Sequence, residues 1–205
     1  MAIVLRCNVF QLAHPEPGIR LPESEIAVRF DECKKVMATM TNGDIDLAIA
    51  SGPLRLAIPG YRTPGSADIP ALTRTIAHMP QFVALRGSGN FGPIHVCYID
   101  AFLSEHDQTR GGLMHTQGCT EYPFLFTAEY RYERIGFGGS PRWITLLHEF
   151  GHALLKRSDR DHVEVAGNLM CRDERAGPNV TPEQRALMLR TAARIAAGKR
   201  PDPWP

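Results

Sequence analysis

The sequence predicts an α+β fold, and three observations support this prediction. Residues 3–12 are partly β-branched and alternate in polarity, which is typical of a strand. Residues 22–40 instead repeat apolar side chains at helical spacing, and residues 94–102 return to the pattern of a strand. Two further helical segments follow, one from about residue 141 and one from residue 181. A chain of this kind is expected to pack its helices against one sheet.

The composition is that of an ordinary globular protein. Hydrophobic residues make up 43% and charged residues 22% of the 205 residues, and the formal net charge is +1. This length suits one domain, so we expect a single domain over residues 1–200 followed by a short tail, 201–205. No basic cluster indicates nucleic acid, and no apolar run approaches the roughly 20 residues of a membrane span. We therefore expect a monomer that binds neither nucleic acid nor membranes.

Two features of the sequence bear on the compartment. The segment Met1-Ala-Ile-Val-Leu-Arg6 has no basic region and no cleavage site, so it does not have the pattern of a signal peptide. The sequence as written therefore indicates a cytoplasmic protein, unless export uses a leader or a route that is not visible here. Five scattered cysteines without a Cys-x-x-Cys pair indicate reduced thiols rather than a disulfide framework.

The first part of the chain divides at clusters of helix-breaking and strand-breaking residues. Residues 14–18 contain two prolines and a glycine, which separate the first strand from the first helix. Asn42-Gly43 ends that helix. Two short apolar runs, 44–50 and 54–58, are split by Ser51-Gly-Pro53 and predict two strands around a turn. The stripe predicted to face the core from the helix consists of Ile26, Phe30, Cys33, Met37 and Met40.

The elements predicted beyond residue 60 are shorter. Residues 71–79 predict one short helix, and residues 94–102 and 123–130 predict strands. Near the end of the chain, Thr181 is a suitable helix N-cap, and Gln184 is placed to complete a capping box. The helical spacing of this last helix, which stops at Gly198, is carried by Ala186, Leu189, Ala193 and Ala196.

The segment with the most chemical information is His148-Glu-Phe-Gly-His152. Residues four apart lie on one face of a helix, so His148 and His152 can direct two imidazoles at one metal ion, with Glu149 beside them. Catalytic zinc has three protein ligands and lowers the pKa of a bound water from about 15.7 to roughly 7. A neighbouring carboxylate can then accept the proton of that water. The motif therefore predicts a zinc site with Glu149 as the general base.

The surrounding sequence favours a helix at this motif. Ser140 is a suitable N-cap, and Pro141 fits the first helical position, where no amide donor is needed. An apolar stripe is expected to face the core at Trp143, Leu147, Phe150 and Leu154. Two histidines do not complete a zinc site, and four residues downstream have suitable chemistry for the third ligand. They are Asp159, Asp161, His162 and Glu164.

The segment 162–170 bears on the choice between these candidates. Together with the helical motif, it resembles the metzincin metalloproteases, whose pattern is H-E-x-x-H-x-x-G-x-x-H followed by a Met-turn. The resemblance matches His162 to the third ligand, and Met170, at the end of Gly-Asn-Leu-Met, to the methionine beneath the metal. It favours His162 over the two aspartates and Glu164, which stay open as alternatives.

The sequence departs from the metzincin pattern in two places. Leu155 stands where the family has its glycine, and four additional residues precede His162. Four residues make about one helical turn, so we expect the helix to continue to residue 157 and residues 158–161 to form the return loop. Arg172 stands where some metzincins have a tyrosine, so no tyrosine near the metal is indicated at that position.

The resemblance implies a zincin-like fold and an activity. The fold is a twisted, mostly parallel sheet with an antiparallel edge strand, an N-terminal helix, a zinc-site helix and a C-terminal helix. The activity is that of a zinc-dependent metalloendopeptidase that acts on peptide or protein substrates. Residues 110–117 look like the edge strand lining the cleft of such enzymes, so substrate binding is expected at Gly111, Gly112, Leu113, Met114, His115 and Thr116. Two alternatives stay open, a zinc hydrolase of a small peptide or a non-protein amide, and a binding protein that retains the metal without turnover.

Overall fold

The computed structural model describes eight stretches of the chain, and for residues 112–115 it describes the backbone. The stretches are 1–12, 22–62, 64–99, 112–115, 123–127, 144–155, 162–171 and 176–199. The strands are β1 (Ile3–Leu12), β2 (Ile45–Leu56), β3 (Ile94–Tyr98), β4 (Gly112–His115) and β5 (Phe124–Thr127). The helices are α1 (Glu23–Met40), α2 (Ile69–His78), α3 (Pro80–Arg86), α4 (Ile144–Leu155) and α5 (Pro182–Ala196).

The described strands form one sheet in the order β2-β1-β3-β5-β4. Strands β2, β1, β3 and β5 run parallel, and β4 runs antiparallel to β5 at one edge. The predicted α+β class, with a mostly parallel sheet and an antiparallel edge strand, is therefore confirmed. The expectation of a single domain over residues 1–200 stays a prediction, and the tail 201–205 lies outside the described residues.

Helices cover both faces of this sheet. Neighbouring strand residues point to opposite faces, so Val9 packs with α1, α4 and α5 while Phe10 packs with α2 and α3. The first helix presents the predicted stripe to the sheet, because Ile26, Phe30, Cys33 and Met37 are buried and Met40 is partly buried. Helix α1 ends as predicted, with positive φ angles of 55° at Asn42 and 78° at Gly43. None of the helices in the described residues is both long and apolar enough to cross a membrane.

The prediction of two strands around a turn at residues 51–53 is wrong. Strand β2 is continuous through this point, and Gly52 and Pro53 together face Val9, between the pairs Asn8–Ser51 and Phe10–Leu54. Two residues opposite one make a β-bulge. Gly52 adopts a φ of +105°, and a Cβ atom there would stand 2.1 Å from the Val9 carbonyl oxygen. Among the described strands β2 is the outermost on its side of the sheet, and proline is tolerated in such a strand because a missing amide donor there need not break a ladder hydrogen bond.

The last helix confirms its predicted cap but not its predicted apolar face. The Thr181 side chain accepts a hydrogen bond from the Gln184 backbone, and the Gln184 side chain accepts one from the Thr181 backbone, which completes the capping box. The side chains that enter the core are Met188, Ala192 and Ile195. Of the predicted face, Leu189 is partly buried against the core, whereas Ala186, Ala193 and Ala196 are exposed. Both sets have helical spacing, and the larger side chains take the buried side because burial is worth more for them.

Two further outcomes concern short elements. The helix predicted at 71–79 is confirmed as α2, but it is followed at once by α3, which the sequence pattern does not predict. Seven residues span less than two helical turns, so α3 offers too little periodicity to detect. The breaker cluster at 14–18 and the proposed loop at 158–161 lie outside the described residues.

Candidate metal centre

Helix α4 carries both helical histidines and fixes their direction through its buried face. Leu147, Phe150 and Leu154 are fully buried, as predicted, and α4 packs on β4, β5, α1 and α5. His148 and His152 lie one turn apart, on the side of the helix that meets the segment 162–171. The predicted cap at Ser140, the apolar residue Trp143 and the extra turn to residue 157 lie outside the described residues.

Three imidazoles converge at one point. The Nε2 atoms of His148 and His162 are 3.0 Å apart, and those of His148 and His152 are 3.1 Å apart. The three ligand atoms all lie within 4.8 Å of one another. The rings of His148 and His162 are nearly parallel, at 7°, while the ring of His152 is nearly perpendicular to both, at 88° and 89°. Three nitrogens thus face a common centre from three directions.

This arrangement fits a metal ion. A tetrahedral zinc ion with Zn–N bonds of about 2.0–2.1 Å holds its nitrogen ligands roughly 3.3 Å apart, close to the separations observed here. The three histidines can therefore hold a metal. Glu164, one of the alternative third ligands, is exposed and does not belong to the cluster formed by the described residues. Asp159 and Asp161 lie outside those residues.

The tautomer of His148 is fixed by the backbone. Its Nδ1 lies 2.7 Å from the carbonyl oxygen of Leu169. A carbonyl oxygen can only accept, so Nδ1 carries a proton, and in the neutral imidazole Nε2 then presents its lone pair to the centre. This is the usual way in which the far nitrogen of a ligating histidine is anchored.

Met170 packs against the helical motif. It is fully buried, and its carbonyl oxygen accepts a hydrogen bond of 2.8 Å from the Val163 backbone. Its Sδ atom stands 2.6 Å from the position that a Cβ atom on Gly151 would occupy. Because Gly151 has no side chain, it leaves room for Met170, and the 162–171 segment can approach the helix closely. The predicted role of Met170 as a methionine beneath the metal stays a prediction.

Two more groups of predicted site residues can be located. Glu149 is 3% exposed and lies on the helix between the two histidines. Gly112, Leu113, Met114 and His115 form β4, which contacts α4. Gly111 and Thr116 lie outside the described residues. The structure thus brings the predicted edge strand next to the histidine helix, and its role in substrate binding stays a prediction.

Sequence patterns do not reveal the roles of three residues near the site. Gly151 is read only as a variable position of the motif, and Asn168 precedes Leu169-Met170 without a recognised role. Gln184 is read as a capping residue, but its Oε1 also accepts a hydrogen bond of 2.9 Å from Asn168 Nδ2. That contact joins positions 16 residues apart. The spacing between Thr181 and Gln184 predicts the cap, but no local pattern predicts that Asn168 is the second partner of Gln184.

The chain shows a distant likeness in fold to a known protein. No protein-family model matches the chain, and no curated protein matches it in sequence. The fold resembles the crystal structure of metalloproteinase-II from Bacteroides fragilis, with a TM-score of 0.55 and 15% sequence identity. The match covers 92% of this chain and 53% of that chain, so this chain spans about half the length of that protein. At this identity, the likeness concerns the fold.

Proposed function

We propose that this protein is a zinc-dependent endopeptidase in which His148, His152 and His162 bind the metal and Glu149 is the general base. The observation that carries the proposal is the convergence of three histidine nitrogens, two of them from the helix that also carries the buried Glu149. A purely structural zinc site has four protein ligands and needs no base. The distant likeness in fold to a protein described as a metalloproteinase supports the same class of activity.

The three imidazoles favour zinc over magnesium and calcium. Neutral imidazole nitrogen is a preferred zinc ligand, whereas magnesium and calcium prefer oxygen. Zinc, when bound, supplies a Lewis acid that polarises a substrate carbonyl and lowers the pKa of water. The Nδ1–H of His148 donates to the Leu169 carbonyl oxygen, which orients the ring and directs its Nε2 at the centre.

Glu149 transfers the proton in the proposed reaction. Its carboxylate accepts a proton from the attacking water as the oxygen bonds to the carbonyl carbon. It then delivers that proton to the amide nitrogen as the C–N bond breaks, so the amine leaves uncharged. Its burial, at 3% exposure, limits competition from bulk water for this proton.

Strand β4 offers a backbone surface for an extended peptide. It pairs with β5 on one side and is the last strand of the sheet within the described residues. A peptide that adds to such an edge is bound by main-chain hydrogen bonds, while alternate side chains supply specificity. Because β4 contacts α4, a peptide bound there would lie beside the helix that carries His148 and His152. This geometry favours a polypeptide substrate over a small amide.

The proposal is tested by Glu149→Gln, which keeps the size of the side chain and removes the base. We expect the variant to bind one zinc ion per chain and to cleave a peptide library about 10²–10⁴-fold more slowly than the unaltered protein. Glu164→Gln, which changes an exposed carboxylate near His162, is the matched control and should keep full activity. Equal cleavage by the unaltered protein and Glu149→Gln would overturn the proposal and indicate a contaminating protease.

Substrate length provides a second test. An endopeptidase that binds peptides along β4 should cleave octapeptides far faster than N-acetylated single amino acid amides. Methylation of a backbone nitrogen next to the cleaved bond should slow cleavage, because it removes a main-chain donor. A preference for the small amides would instead favour the hydrolase of a non-protein amide.

A further inference from the structure

The peptide unit between Leu169 and Met170 has hydrogen bonds at both ends. Its carbonyl oxygen accepts from His148 Nδ1 at 2.7 Å, and its N–H group donates to Asn168 Oδ1 at 2.9 Å. The orientation of this one peptide plane therefore decides where the His148 ring can point. Asn168 holds the plane from the side opposite to the metal centre.

Asn168 is itself held by the first turn of α5. Its Nδ2 donates to Gln184 Oε1 at 2.9 Å, and the same oxygen accepts from the Thr181 backbone N–H at 2.8 Å. Asn168 and Gln184 are buried, at 6% and 8% exposure. A buried amide pair of this kind has few alternative partners, so its geometry is well defined.

Three hydrogen bonds connect the metal centre to α5, and a longer bond of 3.4 Å runs back from Gln184 Nε2 to Asn168 Oδ1. His148 donates to the Leu169–Met170 peptide, this peptide donates to Asn168, and Asn168 donates to Gln184. An amide that donates through its N–H becomes more negative at its oxygen, so each such bond strengthens the preceding hydrogen bond by roughly 10–30%. The Leu169 carbonyl is thereby made a better acceptor for His148 Nδ1–H, which increases the electron density at Nε2.

We infer that Asn168 and Gln184 are positioning residues of the metal centre, which orient His148 and strengthen its Nε2 as a ligand through the Leu169–Met170 peptide. This inference rests on the proposed metal centre and assigns a function to residues that do not touch the metal. It gives the capping-box residue of α5 a second role. The C-terminal helix therefore takes part in holding the metal without contributing a ligand.

The test measures the zinc dissociation constant by competition with a chromophoric chelator. Asn168→Ala should weaken zinc binding about 10–100-fold, the range for loss of an outer-shell partner. Asn8→Ala is the matched control, because Asn8 is also a buried asparagine with two backbone hydrogen bonds, to Gly92 on the opposite side of the sheet. It should unfold more easily while its zinc affinity stays unchanged.

A second pair of variants applies if Asn168→Ala does not fold. Gln184→Leu removes the acceptor for Asn168 and should weaken zinc binding in the same direction by a smaller factor. Gln184→Glu keeps an acceptor oxygen for both Asn168 and Thr181 and suits the third position of a capping box. It should restore the zinc affinity of the unaltered protein.

The possible results separate this inference from the proposed function. Unchanged zinc affinity in Asn168→Ala, or in Gln184→Leu, would overturn the positioning role while leaving the peptidase proposal intact. An equal loss of affinity in Asn8→Ala would also overturn it, because the effect would then reflect stability alone. If Asn168→Ala loses zinc affinity and the unaltered protein cleaves no peptide, the result would support the positioning role and contradict the peptidase proposal. If the unaltered protein takes up no zinc, both fail.

Discussion

The Met170 Sδ atom lies 2.6 Å from the point where a Cβ atom on Gly151 would stand. The Leu169 side chain is close to the same point, with Cδ2 at 3.0 Å. Both side chains are fully buried and have little room to move aside. The absence of a Cβ atom at Gly151 therefore sets how closely the segment with His162 approaches the helix with His148 and His152.

Gly151→Ala should therefore destabilise the protein. In an unhindered helix, alanine would be favoured over glycine by roughly 0.8–1 kcal/mol. Overpacking against Met170 should outweigh this gain, because it typically costs about 1–3 kcal/mol. Urea unfolding measures the difference. The double variant Gly151→Ala/Met170→Ala should lose less than the sum of the single changes, and strict additivity or a net gain in Gly151→Ala would contradict the close contact.

His162→Ala should abolish stoichiometric zinc binding, because it removes one of three converging nitrogens. Elemental analysis after dialysis provides the measurement. Glu164→Ala is the control and should retain one zinc ion, since Glu164 lies outside the cluster. Full zinc content in His162→Ala would direct attention to Asp159 and Asp161, each of which can be replaced by alanine in turn.

His95 should make the protein less stable in mild acid. Burial, with a smaller effect of the Arg86 charge, lowers the pKa of His95 from 6.5 to about 3. Between these values the unfolded chain binds a proton that the folded protein does not, so the free energy of unfolding falls as the pH falls below about 6.5. From pH 6.5 to pH 5, this histidine should cost roughly 2 kcal/mol.

Urea unfolding at several pH values tests this prediction in His95→Gln, which keeps an acceptor for the Asn8 side-chain amide, 3.0 Å from His95 Nδ1. The variant should lose roughly 2 kcal/mol less than the unaltered protein over the same pH interval. The difference between the two proteins is the relevant quantity, because all other titratable groups are the same in both. Identical pH profiles would show that His95 is protonated in the folded protein.

Gly52→Ala should destabilise the protein through the backbone of β2. A φ of +105° is unfavourable for a residue with a side chain, and the new Cβ atom would meet the Val9 carbonyl oxygen at 2.1 Å. The expected cost is on the order of 1–3 kcal/mol from the backbone alone. Gly89→Ala is the control, because nothing lies within 4 Å of a Cβ atom there. Thermal unfolding that is equal for the two variants would contradict the bulge at Gly52.

Local patterns were enough to predict several elements and the two helical histidines. Strand β1 and helix α1 follow from hydrophobic periodicity, and the cap at Thr181 follows from its spacing to Gln184. The position of His162 beside His148 could be inferred only because the segment resembles the metzincin pattern. Without that resemblance, four residues of suitable chemistry were equally acceptable.

Other features depend on contacts that are distant in sequence. The chain at Gly52-Pro53 has the composition of a turn, and only pairing with Val9 in β1 makes it a bulge. In α5, two apolar stripes have similar helical spacing. Packing against the sheet determines that the stripe with Ala192 is buried and the stripe with Ala193 is exposed. The hydrogen bond from Asn168 to Gln184 joins two polar side chains, and the residues around each of them in the sequence do not indicate that they are buried.

The hydrogen bond between Asn168 and Gln184 has a consequence for the order in which the protein acquires its site during synthesis. A chain growing on the ribosome exposes His148, His152 and His162 before the first turn of α5 has emerged. Such a nascent chain has all three imidazoles but lacks the helix that holds the Leu169–Met170 peptide in place. The proposed metal centre should therefore reach its full zinc affinity only after α5 has docked, so the proposed hydrolytic activity should develop late in synthesis.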